Sequence, residues 1–288
     1  MPVMDSPRVA VVVPCYDDGE TLTDALGSLA AQEPHELVVV DDGSRDEATR
    51  AVLAELAREG IRVVRQDNAG LSAARMAGVH ATSARYVMPL DADDALAPGS
   101  LAALADALDR EPAAVMAWGD IEIWGDVELR LKVGRKLDPW QLTHLNTLPV
   151  ASMVRRDALL AVDGWQLRNG YEDWDLWMSF AEQGWSGVYV PGVALRYRRR
   201  EGRMLADCQP RHGELVAELR RRHPQLYQSR RRNWRASPAP ARMRLLFPAV
   251  SALPVSDFNK SRLYQLAAQP RQFVEMRRLR RRASRERA

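Results

Sequence analysis

Cysteine is almost absent from this chain: Cys15 and Cys208 are its only two in 288 residues. Two thiols cannot build a disulfide framework or a zinc site. The five histidines, His144 and His212 among them, show no metal-ligand spacing. No run of about 18 apolar residues is present to cross a bilayer. Met1-Pro2-Val3-Met4-Asp5 lacks the basic region and apolar stretch of a secretory leader, so a reducing, cytoplasmic setting is expected. After the first apolar run, Pro14-Cys15-Tyr16-Asp17-Asp18-Gly19 offers neither a Gly-x-Gly-x-x-Gly turn nor a lysine-bearing phosphate loop. That argues against a dinucleotide enzyme and a P-loop ATPase. No internal repeat is evident.

What is present is an ordinary globular composition, 46% hydrophobic, enough for a sizeable core. The net charge of +3 hides a division. Residues 196–288 hold 25 Lys+Arg against 7 Asp+Glu, a net +18, which leaves 16 against 31, a net −15, for residues 1–195. An acidic front is joined to a basic tail. The expected organisation is one domain over residues 1–205 and a basic, mostly helical extension over residues 206–288.

Arg8 to Pro14 is a short β-branched apolar run, as expected of a strand buried on both faces. Thr21 to Gln32 has leucines at helical spacing, with Thr21 placed to cap it. Strands are then expected at Glu36–Val40, Ile61–Val64 and Ala84–Leu90, and helices at Ala48–Arg58 and Leu71–Ala81. This alternation predicts an α/β fold with a mainly parallel, Rossmann-like sheet covered on both sides. In such sheets ligands bind beyond the carboxyl ends of the strands.

Acidic clusters stand at those ends, Asp41-Asp42 and Asp91-Ala92-Asp93-Asp94, and a third, Glu172-Asp173, follows further along the chain. Gathered carboxylates repel one another unless a cation or a proton-bearing substrate sits among them. Their recurrence points to a metal-dependent site for a phosphate-linked donor.

Five segments in order, Val13-Pro14-Cys15-Tyr16-Asp17-Asp18, Val40-Asp41-Asp42-Gly43-Ser44, Asn68-Ala69-Gly70-Leu71-Ser72-Ala73-Ala74-Arg75, Leu90-Asp91-Ala92-Asp93-Asp94 and Glu172-Asp173-Trp174-Asp175-Leu176-Trp177, resemble the family 2 glycosyltransferases. The resemblance spans roughly residues 8 to 204 and implies a GT-A fold and inverting transfer from a nucleotide-sugar. It implies that Pro14, Tyr16, Asp41, Asp42, Arg75, Asp91, Ala92 and Asp93 line the donor, with Asp42 taking the imide proton of uracil, hence a UDP- or dTDP-sugar. Asp93, with Asp91 beside it, matches the Asp-x-Asp ligand of Mn²⁺ or Mg²⁺, cations that favour hard oxygen donors. Asp173 matches the catalytic base, which at an ordinary carboxylate pKa needs no tuning to be ionised. Trp165, Glu172 and Trp174 are the expected acceptor contacts; the tryptophans could offer stacking faces or equally fill the core, and core is the expected role of Trp177.

Each residue also has a plainer reading. Asp42-Gly43-Ser44 could form an Asx turn, Asp91 to Asp94 a solvated turn before the helix that Pro98-Gly99-Ser100 begins, Arg75 a surface arginine, and Glu172, Asp173 and Asp175 helix N-terminal acids favoured by the macrodipole. The sequence departs from its relatives at Arg196 to Gly202, where arginines replace a histidine. Arg198, Arg200 and Arg203 are therefore expected to neutralise the leaving diphosphate directly, which puts strict metal dependence in question.

The tail carries Arg220-Arg221-Arg222, Arg230-Arg231-Arg232 and Arg277 to Arg282, with Ser237-Pro238-Ala239-Pro240 as a hinge. It has no nucleic-acid-binding motif. One reading is peripheral contact with the anionic inner face of a membrane, through Leu245, Leu246, Phe247, Phe273 and Met276. The other is a helical appendage packed on the acidic front or on a second subunit of an oligomer. Rival functions are a sugar-phosphate nucleotidyltransferase, disfavoured by the acidic first loop, and a non-catalytic nucleotide-sugar or anionic-surface binding protein.

Overall fold

The valine runs become the centre of a nine-stranded sheet. The computed structural model describes residues 6–125, 128–168, 170–199 and 210–275. Strand β1 (Val9–Cys15) is buried along its whole length. Its side chains alternate between two cores, as a period of two requires: Val9, Val11 and Val13 meet Leu22, Leu101 and Leu104, whereas Val12 joins Val38, Val40, Ala74 and Val79. Each fully buried valine contributes about 1.5–3 kcal/mol over an exposed one. Alternating polar residues would be excluded here, because neither face meets water.

Strands β2 (Glu36–Asp41), β3 (Arg62–Arg65) and β4 (Tyr86–Pro89) join β1 in parallel, in the order β3-β2-β1-β4. Helices α1 (Gly19–Gly27), α2 (Glu47–Arg58) and α3 (Leu71–His80) make the connections. Helix α1 opens two residues before the expected cap: Thr21 lies in its first turn and donates its N–H to the Asp18 carbonyl at 3.2 Å. Helix α3 lies against the sheet so closely that a Cβ on Gly78 would stand 2.3 Å from Val12 Cγ1. An alanine there would push the helix off the strands.

The second half of the sheet was not anticipated from the sequence. Strands β5 (Ala95–Leu96), β6 (Ala114–Gly125), β7 (Leu129–Leu131), β8 (Met153–Arg155) and β9 (Ser186–Arg199) continue the order as β4-β8-β6-β9-β5, with β7 on the flank of β6. Strand β8 is antiparallel to both neighbours, and β6 with β9 is parallel. Between them lie α4 (Ser100–Arg110), α5 (Pro139–Leu142), α6 (Arg156–Ala161) and α7 (Glu172–Glu182).

The basic tail folds into α8 (His212–Arg222), α9 (Pro224–Gln228), α10 (Arg230–Ala236), α11 (Ala241–Ala252) and α12 (Asp257–Ala268). Leu215, Val216, Leu219 and Leu226 enter the same core as Trp174 and Trp177. Phe247, expected as a membrane anchor, is instead fully buried with Trp140, Leu145, Met243 and Tyr264. Leu245 and Leu246 remain exposed, and Met276 lies outside the described residues. Among the described residues no helix is long and apolar enough to cross a membrane.

Candidate active site

Strands β1, β2 and β4 run the same way, so their carboxyl ends share one rim. The Asp42 N–H donates to the Cys15 carbonyl at 2.9 Å, which joins the end of β2 to that of β1. Pro14, in register with Val40, is part of the buried strand; Tyr16 just beyond it is 41% exposed. Both aspartates at the end of β2 are buried. Asp41 accepts from Arg65 at 2.6 Å and from the Ser44 N–H at 2.8 Å. The turn is thus closed by Asp41, not by the Asx turn expected at Asp42. Asp42 instead accepts from Gln66 at 2.7 Å and from the amides of Ala69 and Gly70, both at 2.9 Å. Gly43 lets the chain return at φ +77, where a Cβ would stand 2.8 Å from the Asn68 nitrogen. A carboxylate has about four lone-pair sites, so three donors leave Asp42 room for one more.

Asp42 therefore holds the residues that open α3, and α3 carries Arg75. This arginine is not on the surface: it is fully buried. Its guanidinium donates to Asp91 Oδ1 at 2.7 Å and to Glu172 Oε1 at 3.0 Å. The same group lies 5.6 Å from the centre of the Trp165 ring. Burial alone would depress its pKa, but the two carboxylates more than offset it and hold the charge on. Arg75 draws together the end of β4 and the start of α7, 81 residues apart in the chain. Ser72 reinforces this by donating to the Leu167 carbonyl at 2.6 Å.

The turn after β4 is not a solvated one. Asp94 is buried and accepts from the Arg198 N–H at 3.0 Å, while Ala92 is buried and Asp91 and Asp93 are partly exposed. Arg198, on β9, donates from Nε to the Asp93 carbonyl at 3.1 Å and pairs with Asp24 at 2.5 Å. Its guanidinium carbon lies 3.9 Å from the Trp124 ring centre. The expected leaving-group arginine thus stands beside the Asp-x-Asp turn. Arg200 and Arg203 lie outside the described residues. Among the described residues no three His, Cys, Asp or Glu side chains form a metal-holding group.

Asp173 follows Glu172 in the first turn of α7. Its carboxyl pKa is pushed up to about 7, first by burial and then by the negative charge of Glu172. The expectation of an untuned carboxylate is therefore corrected. Asn146, from the irregular segment after α5, donates to Asp173 Oδ2 at 3.1 Å. Nothing in the sequence marked Asn146, because a loop asparagine has no periodicity to betray it.

Two further expectations are corrected. Trp165 and Trp174 are buried in the core, 3% and 6% exposed, so neither presents an open ring face to an acceptor sugar. The Trp174 indole N–H donates to the Leu142 carbonyl at 2.8 Å. Glu172 is buried on Arg75, and Trp177 is core as expected. Asp175 is no simple helix-start acid either: it is buried between Arg222 at 2.6 Å and His223 at 3.0 Å, and His223 reaches Glu182 at 3.1 Å.

Comparison with known proteins gives the same picture. Residues 10–160 match the model of "Glycosyl transferase family 2". An uncharacterised glycosyltransferase of Mycobacterium tuberculosis (strain H37Rv) is 30% identical over 199 residues, 64% of this chain and 84% of that protein. The undecaprenyl-phosphate 4-deoxy-4-formamido-L-arabinose transferase of Serratia proteamaculans is 35% identical over 94 residues, 30% of this chain and 29% of that protein. Among solved structures, S. aureus TarS 1-349 in complex with UDP-GlcNAc superposes with a TM-score of 0.60 at 16% identity, covering 90% of this chain and 73% of that one. The fold is thus that of the GT-A glycosyltransferases.

Proposed function

We propose, from the premise that the chain belongs to glycosyl transferase family 2, that it moves a sugar from a UDP-sugar, or a dTDP-sugar, to an acceptor hydroxyl with inversion. Membership rests on the family match over more than half of the chain. The observation that carries the reading is Arg75, which holds Asp91 of the Asp-x-Asp turn and Glu172, the chain neighbour of Asp173, on one guanidinium.

In this reading the uracil is read at the Asp42 acceptor site left open, under the exposed ring of Tyr16, and the diphosphate lies along Asp91 to Asp93. S. aureus TarS has been solved with UDP-GlcNAc and with UDP on a fold of the same type. The acceptor oxygen attacks the anomeric carbon from the face opposite the diphosphate, the anomeric carbon–oxygen bond to UDP breaks, and the acceptor proton passes to Asp173. A base with pKa near 7 has both the driving force to take that proton and an ionised fraction at neutral pH. Asn146 holds the carboxylate by one hydrogen bond.

A hard divalent cation fits the oxygen donors at the turn. Mg²⁺ and Mn²⁺ commonly take one or two carboxylates plus substrate phosphates. Asp93 is the residue assigned to hold it. Asp91, 28% exposed at its side chain and joined to Arg75 through one oxygen, keeps the other available. Such a cation would neutralise charge on the departing diphosphate. Arg198, beside the Asp93 carbonyl, adds fixed positive charge there.

Residues 1–205 carry the transfer chemistry in this reading, and the helices of residues 206–288 brace α7. The surface of those helices supports placement on the cytoplasmic face of a membrane. Among the described residues, six of the eight exposed large hydrophobic side chains lie between Leu245 and Val274, within residues 196–288, which carry the net +18. The deciding experiment is release of the nucleoside diphosphate, UDP or dTDP, from a panel of UDP- and dTDP-sugars with and without Mn²⁺. Turnover that is lost in Asp93→Ala supports the reading; binding of every donor without turnover, acceptors included, would leave only a nucleotide-sugar-binding protein.

A further inference from the structure

A cavity of about 100 Å³ lies between the catalytic half and the C-terminal helices. That is the room of about three waters, and it suits a small oxyanion. Its walls come from Thr143 and His144 after α5, Trp174 on α7, and α8 to α12. The lining holds three cations, Arg220, Arg230 and Lys260, against one carboxylate, Asp257. Asp257 is already engaged with Arg220 at 3.5 Å.

The other two cations lack such a partner. Among the described residues, neither Arg230 nor Lys260 has a carboxylate within ion-pair distance. Arg230 donates instead to neutral groups, Ser251 Oγ at 3.0 Å and His144 Nε2. His144 is neutral because burial, followed by the nearby Arg230 charge, presses its pKa down to about 3. Its Nδ1 faces the Trp140 carbonyl at 3.0 Å, leaving Nε2 as the acceptor. A half-buried guanidinium on neutral acceptors has lost solvation without gaining an anion.

A second, independent feature points the same way. The Tyr227 hydroxyl, also on the lining, is buried beside Arg220 and makes no hydrogen bond of good geometry among the described residues. A buried hydroxyl left unpaired costs about 1–3 kcal/mol. An oxyanion would accept from that hydroxyl and pair with both cations.

We infer that this cavity is an oxyanion site that takes the phosphate group of a mono- or diester, bound by Arg230, Lys260 and the Tyr227 hydroxyl. The chemistry fits because phosphate offers several acceptor oxygens and guanidinium matches them in pairs. The site shares α7 and the segment after α5 with Asp173 and Asn146, and it is separate from the Asp-x-Asp turn. Resting on the transferase reading above, the phosphate held there belongs to the acceptor, so the acceptor is phosphate-bearing.

The test uses the full chain, titrated calorimetrically with inorganic phosphate and with glycerol 3-phosphate, and with UDP as the control. Saturable phosphate binding is expected, weakened at least tenfold in Lys260→Gln and in Arg230→Gln and less in Tyr227→Phe, with UDP affinity unchanged in all three. If Arg230→Gln does not fold, Lys260→Gln and Tyr227→Phe decide. Vesicles with phosphatidic acid, compared with pure phosphatidylcholine, show whether a lipid headgroup is the source: capture lost in Lys260→Gln assigns it to lipid, and phosphate binding without capture assigns it to a soluble ester. Absence of phosphate binding, or equal affinity in the variants, overturns the site. Failure of UDP to bind while phosphate binding persists would overturn the donor reading and leave the cavity's assignment standing.

Discussion

The Asn146 carboxamide donates to Asp173 Oδ2 at 3.1 Å, one hydrogen bond offered to a carboxylate that burial and Glu172 both disfavour. A base must be ionised to act, so kcat/KM should rise with pH through about 7 and level off above it. Because Asn146 favours the charged form, Asn146→Ala should move that rise to higher pH. Asp173→Asn should keep UDP affinity and lose transfer by about 10²–10⁴-fold. A pH–rate profile unmoved in both variants would remove Asp173 from the proton path.

The same carboxyl makes a stability prediction of definite sign. Its folded pKa lies above the ordinary carboxylate value of 3.8, at about 7. The native state therefore binds the proton more tightly than the unfolded chain, and stability falls as pH rises from about 4 to 7. Asp173→Asn should be more stable than the wild type at pH 8 and closer to it at pH 4. Urea midpoints at the two pH values, with m unchanged, are the check.

Arg75 should be intolerant of replacement. Its loss leaves Glu172 and Asp91 facing each other without a counter-charge, and breaking a buried pair costs about 3–5 kcal/mol. Arg75→Lys supplies one point charge where two carboxylates are held by a planar fork. Urea melts should show a large loss for Arg75→Met and a smaller one for Arg75→Lys, with UDP binding weakened in both.

How much of this was readable beforehand follows from the range of the interactions. The strands β1 to β4 and their helices were legible because valine runs and helical leucine spacing are local signals. Convergence of Asp41-Asp42 with Asp91 to Asp94 could be placed on a rim from topology, but burial of Arg75 between Asp91 and Glu172 could not, since its partners lie 16 and 97 residues away. Strand β6 lies outside the strands that the sequence predicts, though it supplies most of the second half of the sheet's pairing. In the tail the excess of arginine dominates the sequence signal and masks the Leu215, Val216, Leu219 stripe that docks α8 into the core. For Trp165 and Trp174 the sequence left stacking face and core filler both open, and only the long-range packing decides for the core, because a large apolar ring serves either role.

The tie between α7 and the tail is ionic as well as apolar, and it should titrate. Burial raises the Asp175 carboxyl, but hydrogen bonds from His223 and Arg222 outweigh it and lower its pKa. Burial likewise disfavours the charged His223, yet Asp175 and Glu182 raise its pKa above 6.5. Asp175 thus contributes stability above its unfolded pKa that is lost on acidification, and His223 contributes stability at low pH that is lost as pH rises through its raised pKa. Stability from this pair should be greatest in the mildly acidic range between them. Asp175→Asn should cost about 3 kcal/mol there, and the wild-type advantage over His223→Gln should shrink at pH 8, both read from thermal melts.

Membrane contact is testable apart from catalysis. Leu245 and Leu246 are 71% and 47% exposed on α11, and the helices around them carry the chain's excess of arginine. Burying two leucines in a lipid interface is worth roughly 1.5–3 kcal/mol each at most, and each basic residue near an anionic surface about 1 kcal/mol more. A Leu245→Asp, Leu246→Asp double variant should therefore weaken binding to anionic vesicles by about tenfold or more, while UDP release in detergent-free solution stays unchanged. High salt should weaken the wild type as well, because the arginine contribution is screened within about 10 Å at 0.1 M. Binding that ignores both the leucines and the salt would mean that this surface faces protein instead of lipid.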